Sequence, residues 1–570
     1  MIQHQTPSNI ALIGGGPAAL FMLKHLVEQE VPVESITIFE KNDRLGVGMP
    51  YGKFGAEKEH VANVSANELP KLLDDFETYI QKYPTTEFNG YVENGKVNPY
   101  EVIPRRLLGD FLEYSFSKFI DKATASGITI DVHLETAVED LIVNKDGSFA
   151  ILANDQKFLA DAVVLCTGHV WPKQHEGKTD GWFDSPYPPS KLELKANFPV
   201  AVRGASLTAV DAIKTLARAN GTFSKKSDGS LNFMLADGSE NFRIHLFSKR
   251  GFLPALRFHS EDDAYSTEWS MSLDEIHEYK ASHGGFVDLD YVFERSFKNR
   301  LREKDPAFYE KIKDFSIEEF VDQMLAIREE LDSFLLFKAE FEEAEKSIHR
   351  QQSVSWKETL SAFSYAVNYP AKHFSAEDMT RHKKTLMPLI SVIIASLPQS
   401  SYHELMALHR AGLLESVAVG DHSEAVPGEN GGCIYTFIDE SGQKREEHYG
   451  IFVDAIGQKP MLFNDLPFDG LKSGAVTSGY LYFKDPEAGR MQEEKDAINI
   501  GHDSAGQYFM KVPGLAINDY FQALDPYGAV QPGLYLMAVP FIGGLNPDYS
   551  GLDFCDTAGE RIAKNLKEEV

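Results

Sequence analysis

A glycine-rich turn near the start of the chain has residue types and spacing suited to holding a pyrophosphate. It follows the apolar run Ile10–Ile13 and reads Gly14-Gly-Gly16-Pro-Ala-Ala19, a G-x-G-x-x-A pattern. Gly14 permits a tight turn, Gly16 lets the backbone approach a phosphate, and Ala19 lets the next helix pack close to the strand. The N-terminus of that helix supplies N–H groups and the positive end of a dipole. The pattern therefore predicts a dinucleotide site.

A carboxylate stands where such a module contacts a ribose. Glu40 ends the β-rich run Ser35–Phe39 and lies 24 residues after Gly16. A carboxylate at a strand end accepts hydrogen bonds from ribose hydroxyls. The strands, the helix and the acid together favour a dinucleotide site over the alternative, a packing turn without a ligand. Further contacts assigned to this site are Pro17, Ala18 and Lys41.

A second, weaker version of the pattern follows the strand Val200–Val202. It reads Gly204-Ala-Ser206-Leu-Thr-Ala209, and helical apolar spacing continues after it. Ser206 adds a side chain where the backbone should approach a phosphate, although its hydroxyl can donate to a phosphate oxygen. We predict a second dinucleotide site with Leu207 and Thr208 as further contacts, and a packing turn is the alternative.

Two more apolar strands run into glycine and support a pair of nucleotide modules. The segment 161–168 ends in Thr167 and Gly168, and the segment 452–457 ends in Gly457. Two dinucleotide modules in one chain suggest two dinucleotides that exchange a hydride.

The strand Phe242–Phe247 of the second module ends in a hydroxyl and two cations, Ser248, Lys249 and Arg250. An acid at this position would favour NADH, whereas these residues suit a ribose 2′-phosphate. We therefore predict NADPH. An exposed basic turn is the alternative, because a polar insert at residues 221–241 makes the spacing unusual.

Several further segments make the chain resemble the two-dinucleotide-binding-domain flavoproteins, and most closely the FAD/NAD(P)-binding family related to flavin-dependent N-hydroxylating monooxygenases. Besides the glycine turns, these are residues 46–52 (GVGMPYG), 59–66 (EHVANVSA), 103–109 (IPRRLLG) and 248–254 (SKRGFLP). The resemblance extends over most of the chain except a central insertion.

The resemblance implies FAD on the first module. Gly48, Tyr51 and Asn63 would then lie near the flavin ring. Arg105 would contact the FAD phosphates, and a surface salt bridge is its alternative role. Near the C-terminus, the strand at residues 533–544 and the loop after it would bring a helix N-terminus under the pyrimidine end of the flavin, where its partial positive charge stabilises an anion. The candidates there are Gly544, Asn546 and Ser550, with a plain loop as the alternative.

The expected fold is α/β, with two Rossmann-like dinucleotide-binding domains, for FAD and NADPH, and a helical insertion. The FAD domain would comprise residues 1–195 and 460–570, and the NAD(P)H domain 196–262 and 415–459. Residues 263–414 would form the insertion, a possible lid or substrate region, with a capping box at Ser316–Glu319. Basic residues in the insertion could hold an anionic substrate but are more typical of a solvated helix face; they are His382, Lys383, Lys384, His403 and His409.

The composition of the chain disfavours several classes of binding partner. The chain has 570 residues and a net charge of −29, which disfavours nucleic acid and anionic membranes. Its three cysteines are far apart, so neither a disulfide framework nor a zinc ribbon is expected, and no metal site stands out. There is no signal-peptide pattern, and the longest apolar run, near 386–397, is too short to span a bilayer. We expect a cytoplasmic protein whose oligomeric state the sequence does not indicate.

The leading hypothesis is an FAD-dependent oxidoreductase that uses NADPH and O2, most simply a monooxygenase acting through a peroxyflavin on a small amine-type substrate. One alternative is an NADPH-dependent flavin reductase or oxidase without oxygen insertion. Another is a flavin-binding redox sensor. A disulfide reductase is disfavoured because that chemistry requires a dithiol beside the flavin, and no cysteines are paired in sequence. No catalytic residue can be assigned from the sequence.

Overall fold

The computed structural model describes residues 7–88, 90–93, 95–260, 269–439, 441–548 and 551–568. The strands are β1 Asn9–Ile13, β2 Ser35–Phe39, β3 Val61–Ser65, β4 Val92–Glu93, β5 Lys96–Val97, β6 Val102–Pro104, β7 Thr129–His133, β8 Val138–Val143, β9 Phe149–Ala153, β10 Gln156–Ala160, β11 Ala162–Leu165, β12 Trp182–Phe183, β13 Pro199–Arg203, β14 Gly221–Lys225, β15 Leu231–Leu235, β16 Arg243–Ser248, β17 Leu414–Ala418, β18 Glu424–Pro427, β19 Cys433–Ile438, β20 Lys444–Tyr449, β21 Ile451–Asp454, β22 Ser478–Tyr482, β23 Ile500–His502, β24 Tyr508–Leu515, β25 Gln522–Leu524 and β26 Val530–Leu536.

The helices are α1 Pro17–Glu28, α2 Phe76–Lys82, α3 Arg105–Ala125, α4 Leu207–Asn220, α5 Leu273–Ser282, α6 Leu289–Phe293, α7 Asn299–Lys304, α8 Pro306–Ile312, α9 Ile317–Glu330, α10 Ser333–Arg350, α11 Ser355–Val367, α12 Ala376–Arg381, α13 Met387–Ile394, α14 Gln399–Arg410, α15 Asp469–Lys472, α16 Pro486–Glu493 and α17 Leu552–Glu568. A search of the described residues finds no helix that combines the length and apolar character needed to cross a membrane.

The larger sheet is built around the first glycine turn. Its six strands lie in the order β25-β26-β11-β1-β2-β7, and all except β25 run parallel. The residues Ile10–Ile13 of β1 are all buried, as expected for a strand with elements packed on both faces. Helices α1 and α17 pack together beside this sheet and contribute to the same apolar core.

The second sheet has five parallel strands in the order β12-β21-β13-β16-β17. The expected boundary at residue 196 is too late, because Trp182 and Phe183 pair with Phe452 and Val453 of β21. A two-residue strand has no periodicity of its own, so the sequence pattern could not reveal it. The α/β class with two parallel sheets and a helical region is confirmed.

A helical region lies between β16 and β17, and it contains no strand among the described residues 269–413. The capping box is confirmed, since Glu319 N–H donates to Ser316 Oγ at 3.2 Å and Ser316 N–H to Glu319 Oε2 at 2.8 Å. Two π-helical turns interrupt its helices, at Glu294–Lys298 and His382–Leu386. The expectation that His382 is solvated is wrong: the ring is fully buried, and burial lowers its pKa to about 4.

The insertion packs mainly on the first domain although the chain enters it from the second. Its buried residues, among them Phe297, Phe363 and Leu386, belong to the same apolar core as β1 and α1. Only part of it, including Phe334 and Phe337 of α10, packs into the core of the second domain. The insertion therefore connects the two domains.

A buried ion pair also joins the domains. Arg105, the first residue of α3, donates to Asp211 of α4 at 2.5 Å, and Tyr187 donates its hydroxyl to the same carboxylate at 2.7 Å. Burial alone would raise the pKa of Asp211, but Arg105 and neighbouring donors hold it below its ordinary value. The ring of His60 lies 3.3 Å from the Asp211 carbonyl oxygen, and burial keeps this imidazole neutral by lowering its pKa.

We expect Asp211→Ala to destabilise the protein by about 3–5 kcal/mol, because it leaves the Arg105 guanidinium buried without its counter-ion. Urea unfolding followed by circular dichroism measures this. The control is Glu487→Ala, which removes an exposed partner of Arg490 and should leave the unfolding midpoint unchanged. Equal midpoints for the two variants would show that the buried pair does not hold the domains.

Candidate functional site

The first glycine turn has the geometry of a phosphate cradle. Gly14 has φ +104°, and a Cβ there would lie 2.7 Å from the Cys166 carbonyl oxygen, so only glycine fits. Gly16 precedes α1, and no side chain in the described part of the chain caps this helix. Its first N–H groups are therefore free to bind an anion.

A cavity of roughly 390 Å³ opens at this turn. Its walls come from the carboxyl ends of β1, β2 and β11, the loop at residues 48–51 and the start of α17. The sequence-predicted residues that line it are Gly14, Gly16, Pro17, Ala18, Glu40, Lys41, Gly48, Tyr51, Thr167 and Gly168. Long-range pairing of the parallel strands brings these four separate segments together.

Glu40 holds the glycine turn in place through hydrogen bonds to its carboxylate. Its Oε2 accepts the Gly15 N–H at 2.8 Å, and its Oε1 accepts the Asn42 backbone and side-chain N–H groups, both at 2.8 Å. The side chain is buried and lines the cavity. Its contact with a ribose stays a prediction, while its hold on the glycine turn is a role that the sequence pattern did not indicate.

Other cavity walls were not found from the sequence, because they come from segments far apart in the chain. They are Thr136–Val138 at the start of the β8–β10 sheet, Met461, Asp465, Pro467 and Phe468 after β21, Met537 and Val539–Phe541 after β26, and Gly551, Leu552 and Cys555 around the start of α17. Helix α17 begins at Leu552, which lines the cavity, while the expected position of its N-terminus under the flavin stays a prediction.

Arg105 is not where the sequence-based prediction put it. It lies outside the residues that line the cavity, and its guanidinium is committed to Asp211 of the second domain. Neither the predicted phosphate contact nor the alternative of a surface salt bridge holds, since the pair is buried. The I-P-R-R segment of the sequence contains the cation, but nothing in it indicates the distant partner Asp211.

Asn63 likewise lies outside the cavity lining and belongs to the domain contact. Its carbonyl oxygen and Oδ1 accept from Arg257 at 2.9 and 3.2 Å. Arg257 also binds Glu68. Asn63 on β3 therefore contacts the second domain through Arg257, and the prediction that it lies near the flavin ring is corrected.

Two of the predicted C-terminal contacts, Gly544 and Asn546, also lie outside the cavity lining. A Cβ on Gly544 would lie 1.9 Å from the Pro513 carbonyl oxygen, so this glycine allows close packing on β24. Asn546 is 1% exposed and donates to the Asn368 carbonyl oxygen at 2.9 Å, which ties it to the insertion. Neither lines the cavity, and Ser550 lies outside the described residues.

The second glycine turn repeats the geometry of the first. Gly204 has φ +116°, and its Cβ would lie 2.4 Å from the Ala455 carbonyl oxygen, as Gly14 faces Cys166. Ser206 precedes α4, which begins at Leu207, and no described side chain caps it. Gly457 has φ +83° and faces the Thr208 hydroxyl. The predicted residues of the second site thus come together at one turn.

The basic turn after β16 lies beside this second cradle, because β16 pairs with β13. The Ser248 hydroxyl is buried and has no hydrogen-bond partner among the described residues. Lys249 pairs with Asp421 at 2.8 Å and Arg250 with Glu329 at 3.4 Å, all exposed side chains. These weak surface pairs can open for an anion.

The cavity also brings two thiols to its wall. Cys166 and Cys555 both line it, and both are reduced. Burial raises the pKa of the Cys166 thiol well above its usual range and that of Cys555 to about 12. Cys433 is buried in a separate core. The thiols that line the cavity are therefore protonated at neutral pH and are weak nucleophiles.

A carboxyl group next to the cavity holds a proton near neutral pH. Asp553 lies in the first turn of α17, between the lining residues Leu552 and Cys555. Burial, with smaller contributions from Glu68 and Asp556, raises its pKa to about 7. Such a group can exchange a proton at the pH of the cell.

Comparison with known proteins agrees with the geometry of the first cradle. Residues 11–170 match a family model described as FAD-NAD(P)-binding. The first domain is an FAD/NAD(P)-binding domain. The chain has an FAD/NAD(P)-binding oxidoreductase fold, and its cofactors are FAD and NAD(P)H. The FAD/NAD(P)-binding domain contains the Gly14 cradle, Glu40 and the Thr167-Gly168 strand end.

The insertion matches a second model, described as a YdhS-like middle domain, over residues 272–394. A relative from Escherichia coli K12, described as the uncharacterized protein YdhS, is 27% identical over 97% of this chain and 96% of its own length. The match therefore extends through both nucleotide cradles and the insertion beside the FAD/NAD(P)-binding domain.

Two solved structures are similar in outline. DfoA from Erwinia amylovora, described as a cadaverine monooxygenase bound to FAD, is 11% identical, with 99% of this chain and 95% of that chain covered and a TM-score of 0.46. Bacillithiol disulfide reductase from Staphylococcus aureus is 10% identical, with 98% and 97% covered and a TM-score of 0.41. The two are named for different reactions, so neither decides the reaction that this FAD/NAD(P)-binding chain catalyses.

Gly14→Ala should yield protein without bound FAD, because the new methyl group collides with the Cys166 carbonyl. Gly204→Ala should keep FAD but lose nicotinamide nucleotide binding. Flavin absorbance of the purified protein and titration with NADPH measure the two effects. Gly229→Ala, at φ +85° in open space, is the control for backbone strain alone. Retention of full FAD by Gly14→Ala would contradict the assignment.

Asp553→Asn should stabilise the protein at pH 8, where the parent must keep a buried carboxylate charged. Since the folded pKa is about 7 and thus raised, this advantage should shrink by about 1.4 kcal/mol per pH unit as the pH falls from 7 towards 4. Chemical unfolding at several pH values measures it.

The control for that series lies on the same helix. Asp556 is paired with Lys24 and His25, and its pKa is lowered despite burial. Asp556→Asn should therefore destabilise the protein at pH 8 and lose this effect in acid. The same pH slope in both variants would refute the assigned environments.

Proposed function

We propose that the chain is an NADPH-dependent flavin monooxygenase that transfers oxygen to a small nucleophilic, amine-type substrate. One observation carries the proposal: two cradles with the same glycine-to-carbonyl contact, at Gly14 and Gly204, stand in one chain, and the first has no reactive dithiol beside it. Two cradles supply a hydride donor and its acceptor. Because burial keeps both cavity thiols protonated, the proposal takes O2 rather than a disulfide as the electron acceptor.

The chain's own residues bind and orient the cofactors. When bound, FAD would supply the redox chemistry between a nicotinamide nucleotide and O2. The Gly14 turn and the α1 N-terminus would hold its pyrophosphate, with Glu40 fixing the turn through the Gly15 N–H. Tyr51 closes the cavity near Gly48, and burial raises its pKa to about 12, so its phenol stays neutral. A neutral, apolar wall helps to exclude water from the reaction.

The thiol environment speaks against a disulfide reductase. That reaction needs a thiolate that attacks a disulfide or the flavin, and thiolate character requires a lowered pKa. Cys166 and Cys555 have raised pKa values because burial disfavours the charged form. Their presence in one cavity wall is therefore best explained as packing.

The decisive experiment follows oxygen itself. FAD-loaded protein is supplied with NADPH, ¹⁸O2 and a panel of aliphatic amines and amino acids, and the products are analysed by mass spectrometry. The proposal expects one amine product that contains a single ¹⁸O atom, formed in proportion to the NADPH consumed. Gly204→Ala is the matched control, since it should keep FAD and lose turnover.

The other outcomes identify the alternatives. Hydrogen peroxide formed in proportion to NADPH with every amine would overturn oxygen insertion and favour a flavin reductase or oxidase. FAD-loaded protein that NADPH fails to reduce, even anaerobically, would favour a redox sensor. Catalase in parallel reactions separates direct oxygen insertion from oxidation by released peroxide.

The preference for NADPH rests on the basic turn. Arg250→Ala should lower kcat/KM for NADPH by roughly tenfold to a hundredfold and leave that for NADH nearly unchanged, since a charge-assisted hydrogen bond contributes about 1.5–3 kcal/mol. Steady-state kinetics with both nucleotides measure it. Lys225→Met, on the exposed β14–β15 hairpin, is the control for net charge. An equal loss with both nucleotides would place Arg250 outside the 2′-phosphate site.

A further inference from the structure

A second cavity, of roughly 270 Å³, adjoins the cofactor cavity. Lys41, Asn42 and Met49 line both, so the two share a wall. The opposite wall comes from residues 171–191, the segment that leaves the first domain and enters the second sheet. Its volume is close to that of small-molecule sites. Of the residues assigned to the cofactor sites, Lys41 alone also lines this space.

Aromatic side chains form one side of this interdomain cleft. Trp171 and Tyr187 have ring centroids 5.2 Å apart, and Phe54 lines the cleft as well. Tyr187 is held in place because its hydroxyl donates to the buried Asp211. The Trp171 indole N–H is buried and has no partner among the described residues. Buried tryptophan N–H groups usually find an acceptor, so this donor is available to an acceptor atom in the cleft.

The charged side chains of the cleft leave an excess of positive charge. Lys41, Lys173 and Lys191 line it together with two acids, Glu176 and Asp184. Donor groups of the protein already bind the carboxylates of both acids. The hydrogen bonds and ion pairs of each acid show which lysines remain available to a ligand.

Asp184 Oδ2 accepts three backbone N–H groups, from residues 174–176, and its Oδ1 accepts the Trp182 indole N–H at 2.7 Å. Burial alone would raise the pKa of Asp184, but these donors lower it, so it stays charged and satisfied. Glu176 accepts Lys191 Nζ at 2.8 and 3.0 Å. Lys173 stands 3.9 Å from Glu176 and is mostly exposed. Lys41 and Lys173 are therefore the cations left for a ligand.

We propose that the interdomain cleft binds a small aromatic carboxylate. The ring would pack against Trp171, Tyr187 and Phe54. The carboxylate would lie between Lys41 and Lys173, and an acceptor atom of the ligand would take the Trp171 N–H. This site is separate from oxygen transfer, so it can exist whether or not the proposed reaction does.

Isothermal titration of the FAD-loaded protein with three probes tests the proposal without NADPH. Benzoate has both charge and aromatic ring, benzamide lacks the charge, and cyclohexanecarboxylate lacks the aromatic ring. Benzoate should bind at least tenfold more tightly than either of the others, and its affinity should fall as salt increases. Equal binding of benzoate and benzamide, or no detectable binding of benzoate at concentrations up to about 10 mM, would overturn the proposal.

Variants locate the binding. Lys173→Met should weaken benzoate binding severalfold by removing a cation, and Trp171→Phe should weaken it by removing the N–H while keeping a ring. Lys178→Met is the matched control, because Lys178 lies in the same segment but outside the lining. Flavin absorbance and melting temperature verify that each variant is folded. Benzoate binding that is unchanged in both test variants would place the probe elsewhere and refute the site.

Discussion

The buried ion pair between Arg105 and Asp211 constrains how the two domains face each other. A charge removed from water is tolerable only beside a well-placed partner, so the start of α3 and the middle of α4 must stay in register. Tyr187 and His60 complete the contact with further hydrogen bonds. The position of one nucleotide cradle relative to the other, and the shape of the cleft between them, both depend on this register.

The same backbone solution serves both cradles. In each domain a glycine at positive φ meets a carbonyl oxygen from the next parallel strand, and an uncapped helix begins beyond it. The two turns differ in the charged and polar side chains beside them. Glu40 braces the first turn, while the second has Ser248 and two cations nearby. The two turns thus share their local backbone geometry and differ in the side chains that surround them.

Features encoded within a few residues could be predicted from the sequence. The glycine turns, the strands that end in glycine, the capping box and the order of α/β segments all depend on local spacing, and the structure confirms these elements. Features that depend on distant partners could not. Arg105, Asn63 and Asn546 each turned out to bind residues over a hundred positions away. His382 has a polar neighbourhood in sequence, yet it is buried in a π-helical turn that no pattern signals.

The shared core of the insertion and the first domain has a mechanical consequence. The chain passes between the first domain and the second before β12 and after β21, and between the second domain and the insertion after β16 and before β17. Four chain connections therefore join the second domain to the rest of the molecule. Swinging it about a single hinge would strain several connections at once, and a protease cut at one crossing would leave three tethers intact. The connections thus restrict how far the two glycine turns can move relative to each other.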